Sequence, residues 1–374
     1  KDIELAARLL RNEGAAYVQA PIVTRFKGYI REPASFADVL AEMGFSDAGA
    51  LSGLISGWQN LFNLYKPDVL VAEYAPAAQI AARLYGVQCL RLSTGFECPP
   101  DVAPFPLFRP WLKLTEEELL KREHGLLINL NEICAQHGGP RFTSLQAALQ
   151  TDLSLLTTLP ELDHYGSRKG ANYIGPMYTL EDGLTRDWPA GPDAKVFAYI
   201  RSYPELPYML DALRESRASV MAVVPGISDE QVAAYSSQRL QIVSEPLKLG
   251  SLLSEMDLAI THGGHGLAGA FLIKGVPTLT VPTNIEQWMM SNRQIRLGVG
   301  KQVTRNRVKM DFATSLMQMI DGPSYKEKAQ TIAKRYAGYD SDRVVQRIAN
   351  TIERLPERNK GFLVSAEQNV GTLH

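Results

Sequence analysis

The stretch Met256-Asp-Leu-Ala-Ile-Thr-His-Gly-Gly-His-Gly266 joins a short apolar run to a glycine-rich turn. The apolar run predicts a buried strand over 256–260, and the glycines predict a turn that opens a helix over 266–274. A second strand is predicted over 278–282, followed by a polar loop that contains Glu286-Gln287. This alternation of strand, helix and strand favours a parallel sheet with helices on its faces.

The glycine-rich turn has the composition of an anion site. Glycines let the backbone come close to a ligand, and a helix N-terminus offers free N–H groups and a partial positive charge. His262 at the strand tip adds a hydrogen bond or a charge. A phosphate-bearing ligand is therefore predicted, and a simple tight turn is the alternative. Ligands of open α/β sheets bind outside the carboxyl ends of the strands, so 244–247, 262–266 and Glu286-Gln287 are predicted to converge on one rim.

Composition limits the remaining classes of function. The chain has 374 residues, enough for two domains, with 45% hydrophobic and 21% charged residues. A net charge of −1 gives no reason to expect nucleic acid binding, and no apolar run is long enough to predict a membrane span. The three cysteines, Cys89, Cys98 and Cys134, fit neither a disulfide framework nor a zinc site. We therefore expect a cytoplasmic protein with no metal, no nucleic acid partner and no stable membrane insertion; its oligomeric state is left open.

Strand and helix patterns recur on both sides of a segment rich in glycine and proline, 180–194. We predict an N-terminal domain over 1–183 and a C-terminal domain over 184–341. A C-terminal helix and tail, 342–374, is predicted to pack back on the N-terminal domain. Two doubly wound α/β domains would then face each other across a cleft.

The start of the chain is unusual for such a domain. An amphipathic helix is predicted over 2–14 and a strand over 16–21, but no strand precedes that helix. We therefore expect the first strand of the N-terminal domain to be missing. The run 68–73 predicts a parallel strand with the Glu73 carboxylate at its carboxyl tip, and the proline-rich run 96–110 predicts a long surface loop.

The segment 244–300 resembles the donor-binding box of the family-1 glycosyltransferases, the UDP-glycosyltransferase superfamily of GT-B fold, and looks most similar to bacterial YjiC/YdhE-type members. The spacings from Ser244 to His262 and from His262 to Glu286 agree with that box without gaps. The resemblance implies two Rossmann-like domains and a nucleotide-diphosphate sugar as donor. The matching elements are Ser-Glu-Pro246, Asp257-Leu-Ala-Ile-Thr-His-Gly-Gly264, Gly275-Val-Pro277, Val281-Pro282, Glu286-Gln287 and Gly298.

The resemblance implies a role for each matching position. His262 would touch the donor pyrophosphate, the backbone N–H groups of the glycine turn would cradle the phosphates, and the acidic-Gln pair would bind sugar hydroxyls. The residues before the first proline would contact the edge of the base. The predicted donor-binding residues are His262, Gly263, Gly264, His265, Gly266, Leu267, Glu286, Gln287, Glu245 and Pro246.

Several positions depart from the family box. Ser244 replaces a stacking aromatic residue, Leu247 replaces a glutamine, Gly266-Leu267 replaces an Asn/Ser pair, and Ala270 replaces the glutamate that holds the ribose hydroxyls. The last change removes a hydrogen bond worth about 1–3 kcal/mol. The donor is therefore expected to be of the UDP or dTDP type, and dTDP needs the missing contact less because its sugar lacks the 2′ hydroxyl.

The catalytic side is less complete. The resemblance implies a catalytic base histidine on a loop after the first strand, which would precede Lys1, and a partner acid at the position of Glu73. We hypothesise that Glu73 orients or assists that base; the alternative is that it caps the following helix or meets solvent. His265 is expected to line the site or to lie in a surface turn. The remaining histidines considered, His124, His137 and His164, are expected in loops or facing solvent.

The resemblance implies an inverting, metal-independent transfer of a hexose to a hydroxyl of a small apolar acceptor, with no cofactor beyond the donor substrate. Inversion follows from a direct displacement with one base and no protein nucleophile. The alternatives are a MurG-type transferase with a lipid-linked acceptor, a sugar-nucleotide epimerase, and a catalytically degenerate GT-B protein that binds a ligand or activates a partner.

Overall fold

Residue contacts divide the chain into two units, each with its own sheet. The first unit contains the chain up to Ser93, Glu97–Leu155 and the chain from Ile348 onwards, and the second contains Thr94–Phe96 and Leu156–Arg347. The division into domains at 183/184 stays a prediction. The computed structural model describes residues 3–11, 13–23, 32–191 and 194–370.

The first unit contains a three-stranded sheet in the order β1-β2-β3. Strand β1 spans Val69–Ala72 and runs parallel to β2, Gln88–Ser93, while β3 spans Leu153–Leu156. The helices before the third strand are α1 (Ile3–Leu10), α2 (Phe36–Leu40), α3 (Ala48–Tyr65), α4 (Pro76–Tyr85), α5 (Glu116–Gln136) and α6 (Leu145–Ala148).

The strand predicted over 16–21 is wrong, because residues 15–23 form no regular structure. Pro21 instead packs against α3, where a Cβ on Gly57 would lie only 2.9 Å from the proline ring. A proline also lacks the N–H that a sheet ladder requires. Further along, the predicted helix before His137 begins with a capping box between Thr115 and Glu118.

The second unit contains a six-stranded parallel sheet in the order β6-β5-β4-β7-β8-β9. Counted from β4, this is the order 3-2-1-4-5-6 of the Rossmann fold, and the order reverses between β4 and β7. The strands are β4 (Lys195–Tyr199), β5 (Ser219–Val223), β6 (Leu240–Val243), β7 (Leu258–Thr261), β8 (Thr278–Thr280) and β9 (Gly300–Gln302). Its helices are α7 (Leu206–Glu215), α8 (Asp229–Tyr235), α9 (His265–Lys274), α10 (Ile285–Leu297), α11 (Val308–Asp321) and α12 (Pro323–Ala333), and the last helix, α13 (Ser341–Val370), begins in this unit and continues into the first.

Both faces of the second sheet are buried. Val196 and Ala198 of β4 belong to one apolar cluster, which includes residues of α7 and α11, whereas Phe197 belongs to the cluster on the other face. There, the Phe197 ring lies 6.1 Å from the ring of Phe271 in α9. Because successive side chains of a strand point to opposite faces, this pattern fixes the register, and with it the residues that stand at the carboxyl ends of the strands.

The start of α10 differs from expectation. Glu286-Gln287 does not lie in a loop but in the first turn of α10, because Asn284 caps that helix and accepts a hydrogen bond from the Gln287 N–H. Elsewhere, a single bridge joins Leu156 and Tyr173. The C-terminal helix continues through Pro356 to Val370.

Candidate functional site

The glycine turn between β7 and α9, Thr261–Gly266, has little room around its first glycine. The Thr261 hydroxyl accepts a hydrogen bond from the Gly263 N–H at 3.0 Å. Gly263 has a φ of 86°, in the left-handed region that disfavours side chains. A Cβ at this position would lie 3.0 Å from both the Gln287 carbonyl oxygen and Ser291 Oγ. Only glycine therefore lets the turn pack against the first turn of α10.

The N-terminus of α9 is open. Its N-cap residue is Gly264, which makes no side-chain cap hydrogen bond. The N–H groups of a first helical turn have no acceptor within the helix. A Cβ on Gly266 would have the Met177 carbonyl oxygen, at 3.9 Å, as its nearest neighbour. The turn thus offers N–H donors without a side-chain cap and the positive end of the helix dipole, as an anion site requires.

His262 lies directly beside this helix start. Its side chain is buried, its ring is 5.7 Å from the ring of Tyr199, and a Cβ on Gly264 would be 2.8 Å from its Nε2 atom. Burial, followed by the positive charge of Arg201, lowers the pKa of His262 to about 4. The imidazole is therefore neutral near pH 7. Its buried Nδ1 atom has no hydrogen-bond partner among the residues that the structure describes.

His265 has a buried side chain, so the surface-turn alternative is wrong. Its Nε2 atom is 2.7 Å from the Thr158 hydroxyl, and burial lowers the pKa of its imidazole to about 4. The side chain is occupied by this internal contact. Its backbone N–H belongs to the first turn of α9, where the predicted role in phosphate binding remains a prediction.

His164 is the residue that the sequence reasoning missed. It was expected in a loop or facing solvent, and it does lie in a turn, but its side chain is fully buried and its ring stacks on that of His265 with a centroid separation of 6.2 Å. Burial, followed by the nearby His265, lowers the pKa of His164 well below its ordinary value. Its Nε2 atom lies 3.9 Å from Glu286 Oε1. No sequence pattern around 164 indicates this contact, which depends on the packing of distant segments.

The acidic-Gln pair is divided between surface and interior. The Glu286 side chain is 35% exposed, whereas Gln287 is buried. The Gln287 side-chain oxygen accepts hydrogen bonds from the Thr283 N–H and hydroxyl, both at 2.9 Å. Gln287 therefore braces the turn that precedes α10, while Glu286 has a carboxylate near the surface, within the first turn of the helix.

The segment after β6 is exposed at Glu245 and Pro246. The Pro246 carbonyl accepts a hydrogen bond from the Leu184 N–H at 2.8 Å. Gly183 also fits tightly here, since a Cβ on it would lie 2.3 Å from that carbonyl oxygen. The stretch expected to meet the base is therefore held in position by the segment around Leu184.

Glu73 belongs to the first unit. It is exposed and directly follows β1, as predicted. It does not cap the next helix, because the N-cap of α4 is Ala75 and that cap has no side-chain hydrogen bond. The capping alternative is therefore wrong, and the carboxylate stands exposed at the carboxyl end of its strand.

The described ranges contain neither a candidate membrane span nor a candidate metal site. No helix there is long and apolar enough to cross a membrane. Within those same ranges, no three histidine, cysteine or acidic side chains are grouped so that they could hold a metal ion. The three cysteines are buried, and burial raises the pKa of Cys89 to about 12.

Sequence comparison links the chain to known glycosyltransferases. Residues 208–354 match the model of the "Erythromycin biosynthesis protein CIII-like, C-terminal domain". A "PGL/p-HBAD biosynthesis rhamnosyltransferase" of Mycobacterium bovis (strain BCG) is 24% identical over 320 residues, which cover 80% of this chain and 70% of that protein. The predicted glycosyltransferase resemblance is therefore confirmed.

Solved structures confirm the fold. The glycotransferase of kitacinnamycin superposes with a TM-score of 0.68 at 14% identity, covering 94% of this chain and 90% of that one. The glycosyltransferase VinC, solved in complex with dTDP, superposes with a TM-score of 0.56 at 19% identity over 83% and 79% of the two chains. The chain is a glycosyltransferase of GT-B fold that resembles family 1.

Proposed function

We propose that the protein transfers a hexose from a nucleoside diphosphate sugar to a hydroxyl of a small apolar acceptor, with inversion at the anomeric carbon. The observation that carries the proposal is the glycine turn. It opens α9 at the carboxyl edge of a Rossmann-ordered sheet, beside the point where the strand order reverses, and its N–H groups have no side-chain cap.

In this reading the diphosphate occupies the N-terminus of α9. The backbone N–H groups of His265, Gly266 and Leu267 would donate to its oxygens, and the neutral His262 imidazole would donate a further hydrogen bond. The helix N-terminus supplies about half a positive charge. These contacts support a leaving diphosphate without a metal ion.

The sugar and the base would lie on opposite sides of the diphosphate. Glu286 stands in the first turn of α10, which packs on Gly263, so its carboxylate is suited to accept from sugar hydroxyls. The exposed segment at Glu245 and Pro246 is suited to the base. At the ribose, Ala270 is fully buried in α9 and offers no polar atom. This favours dTDP over UDP as the carrier, as does the dTDP bound to VinC.

The chemical step we propose is a single displacement. A base removes the proton of the acceptor hydroxyl, the oxygen attacks the anomeric carbon, and the bond from that carbon to the diphosphate breaks. The nucleoside diphosphate leaves with the electron pair. Glu73 is proposed to orient or assist the base, since it is an exposed carboxylate at the carboxyl end of β1.

Titration calorimetry with UDP, dTDP and GDP, each free and carrying a hexose, tests the donor assignment. We expect dTDP and its sugar to bind most tightly. Glu286→Gln should weaken the sugar nucleotide about tenfold, because a charged acceptor is lost, and should leave the affinity for free dTDP unchanged. Failure of all three nucleotides to bind would overturn the proposal, and binding without transfer to any acceptor would favour the degenerate alternative.

Glu73→Gln tests the catalytic assignment. We expect turnover to fall about 100-fold, in the range of general base contributions, with no change in the affinity for dTDP. Asp68→Asn is the matched control, because Asp68 is exposed at the opposite, amino end of the same strand. Undiminished turnover of Glu73→Gln would reject the role.

A further inference from the structure

Arg201 stands at the point of the second sheet where its strand order reverses. Strand β4 pairs with β7 with Ala198 opposite Ile260. Two residues further on, Ile200 directly follows the end of β4, and His262 directly follows the end of β7. Arg201 is the residue after Ile200. In this sheet order, ligands bind in the crevice outside the carboxyl ends of the two strands that flank the reversal. Arg201 and the glycine turn therefore lie on the two sides of the same crevice.

The two sides are in contact. The Tyr199 ring, at the end of β4, lies 5.7 Å from the His262 ring. The Ile200 N–H still donates to the Val223 carbonyl at 3.0 Å, so β4 stays extended up to the residue before Arg201. Burial, followed by the positive charge of Arg201, lowers the pKa of His262.

Arg201 is exposed and has no carboxylate partner among the described residues. Three other arginines of the second unit are paired with carboxylates. The Arg305 guanidinium lies over the ring of Tyr203, which belongs to the same β4–α7 loop as Arg201. Arg305 also forms an ion pair with Glu205, with an N–O distance of 3.1 Å. Arg214 and Arg307 pair with acidic residues of their own helices. Arg201, by contrast, brings a positive charge without a carboxylate partner among the described residues to the crevice.

We infer that Arg201 is a further donor-site residue, whose guanidinium binds the diphosphate and stabilises it as the leaving group. The inference rests on the proposed function. A guanidinium presents planar, paired N–H donors that match phosphate oxygens, and it stays protonated at any working pH. A helix N-terminus supplies only about half a positive charge. A diphosphate bound there is therefore stabilised further by a full positive charge beside it, such as the Arg201 guanidinium after the neighbouring strand β4.

The test compares Arg201→Met, Arg201→Lys and Arg217→Met in titration calorimetry with dTDP, dTMP and thymidine, and in parallel with UDP, UMP and uridine. Arg217 is the matched control, because it is exposed but precedes β5, at the amino edge of the same sheet. We expect Arg201→Met to weaken nucleoside diphosphate binding about tenfold, to weaken monophosphate binding less and to leave nucleoside binding unchanged. Arg201→Lys should retain part of the affinity, and the control all of it.

The outcomes separate the inference from the proposed function. If the wild type binds a nucleoside diphosphate and Arg201→Met binds it equally well, the inference is wrong and the proposed function stands. An equal loss for diphosphate and nucleoside would show a structural role and also overturn the inference. A wild type that binds no nucleoside diphosphate would overturn both.

Discussion

Gly263→Ala is expected to lower the free energy of unfolding of the second unit by about 2–4 kcal/mol and to abolish nucleotide binding. A residue with a side chain pays about 1–2 kcal/mol in the left-handed region, and Gly263 has a φ of 86°. The new Cβ would also press on the Gln287 carbonyl and on Ser291 Oγ, each 3.0 Å away. Overpacking of this kind typically costs about 1–3 kcal/mol.

Binding should be lost for a second reason. The carbonyl that the new methyl group meets belongs to the first turn of α10, which carries Glu286. Relief of the clash therefore moves either the glycine turn or α10. Both movements separate the open N-terminus of α9 from the carboxylate that we assign to the sugar, so the damage cannot stay local.

Gly266→Ala is the matched control within the same turn. Gly266 lies inside the first turn of α9, and a Cβ there would have its nearest neighbour at 3.9 Å. Alanine should therefore leave stability unchanged or raise it by up to about 1 kcal/mol, because it favours a helix over glycine. Urea denaturation measures stability, and calorimetry with dTDP measures binding. Equal stability of the two variants would contradict the close packing at Gly263.

The sequence was sufficient for the parts of the second unit that depend on local pattern. The apolar run before His262 predicts β7, the glycines predict the start of α9, and alternation of strands and helices predicts a parallel sheet. These signals are local because a buried strand needs a continuous apolar run, and a tight turn into a helix favours glycine. The agreement of the box with known glycosyltransferases then gave the fold class, which the solved structures confirm.

What the sequence did not predict depends on sheet order and on long-range packing. Arg201 is unremarkable in a loop until β4 is known to lie beside β7. His164 lies in a turn, as one alternative predicted, but its stacking on His265, about a hundred residues away in the chain, was not predicted because no local pattern encodes a contact between distant segments. The start of α10 was missed because Asn284, Glu286 and Gln287 are polar; their polarity reflects helix capping rather than a loop.

Acid should destabilise the second unit between about pH 6.5 and about pH 4, because its buried histidines take up protons on unfolding. Burial lowers the pKa of both His262 and His265 from the ordinary value of 6.5 to about 4, and that of the buried His164 falls as well. Between about pH 6.5 and about pH 4, these histidines bind protons in the unfolded chain but not in the folded chain. The free energy of unfolding therefore falls as the pH drops from about 6.5 towards 4, and it is fully retained above about pH 7.

The expected loss in the free energy of unfolding is large for a single type of residue. A pKa lowered from 6.5 to about 4 corresponds to about 3 kcal/mol of stability lost per histidine at low pH. His265→Gln keeps a polar group within reach of the Thr158 hydroxyl but does not titrate in this range. Urea denaturation of this variant should show a shallower loss of stability between about pH 7 and about pH 5 than the wild type.

His124→Gln provides the control, because His124 is exposed on α5 of the first unit and should leave the slope unchanged. Hydrogen exchange of the peptide that spans α9 locates the effect. If proton uptake by His265 drives the loss, α9 opens first as the pH falls, since its N-terminal residue carries the new charge next to the positive end of the helix dipole. A slope that is the same in His265→Gln and in the wild type would mean that this histidine is already charged in the folded protein. The assignment of His164 and His265 as a neutral, closely packed pair would then be wrong.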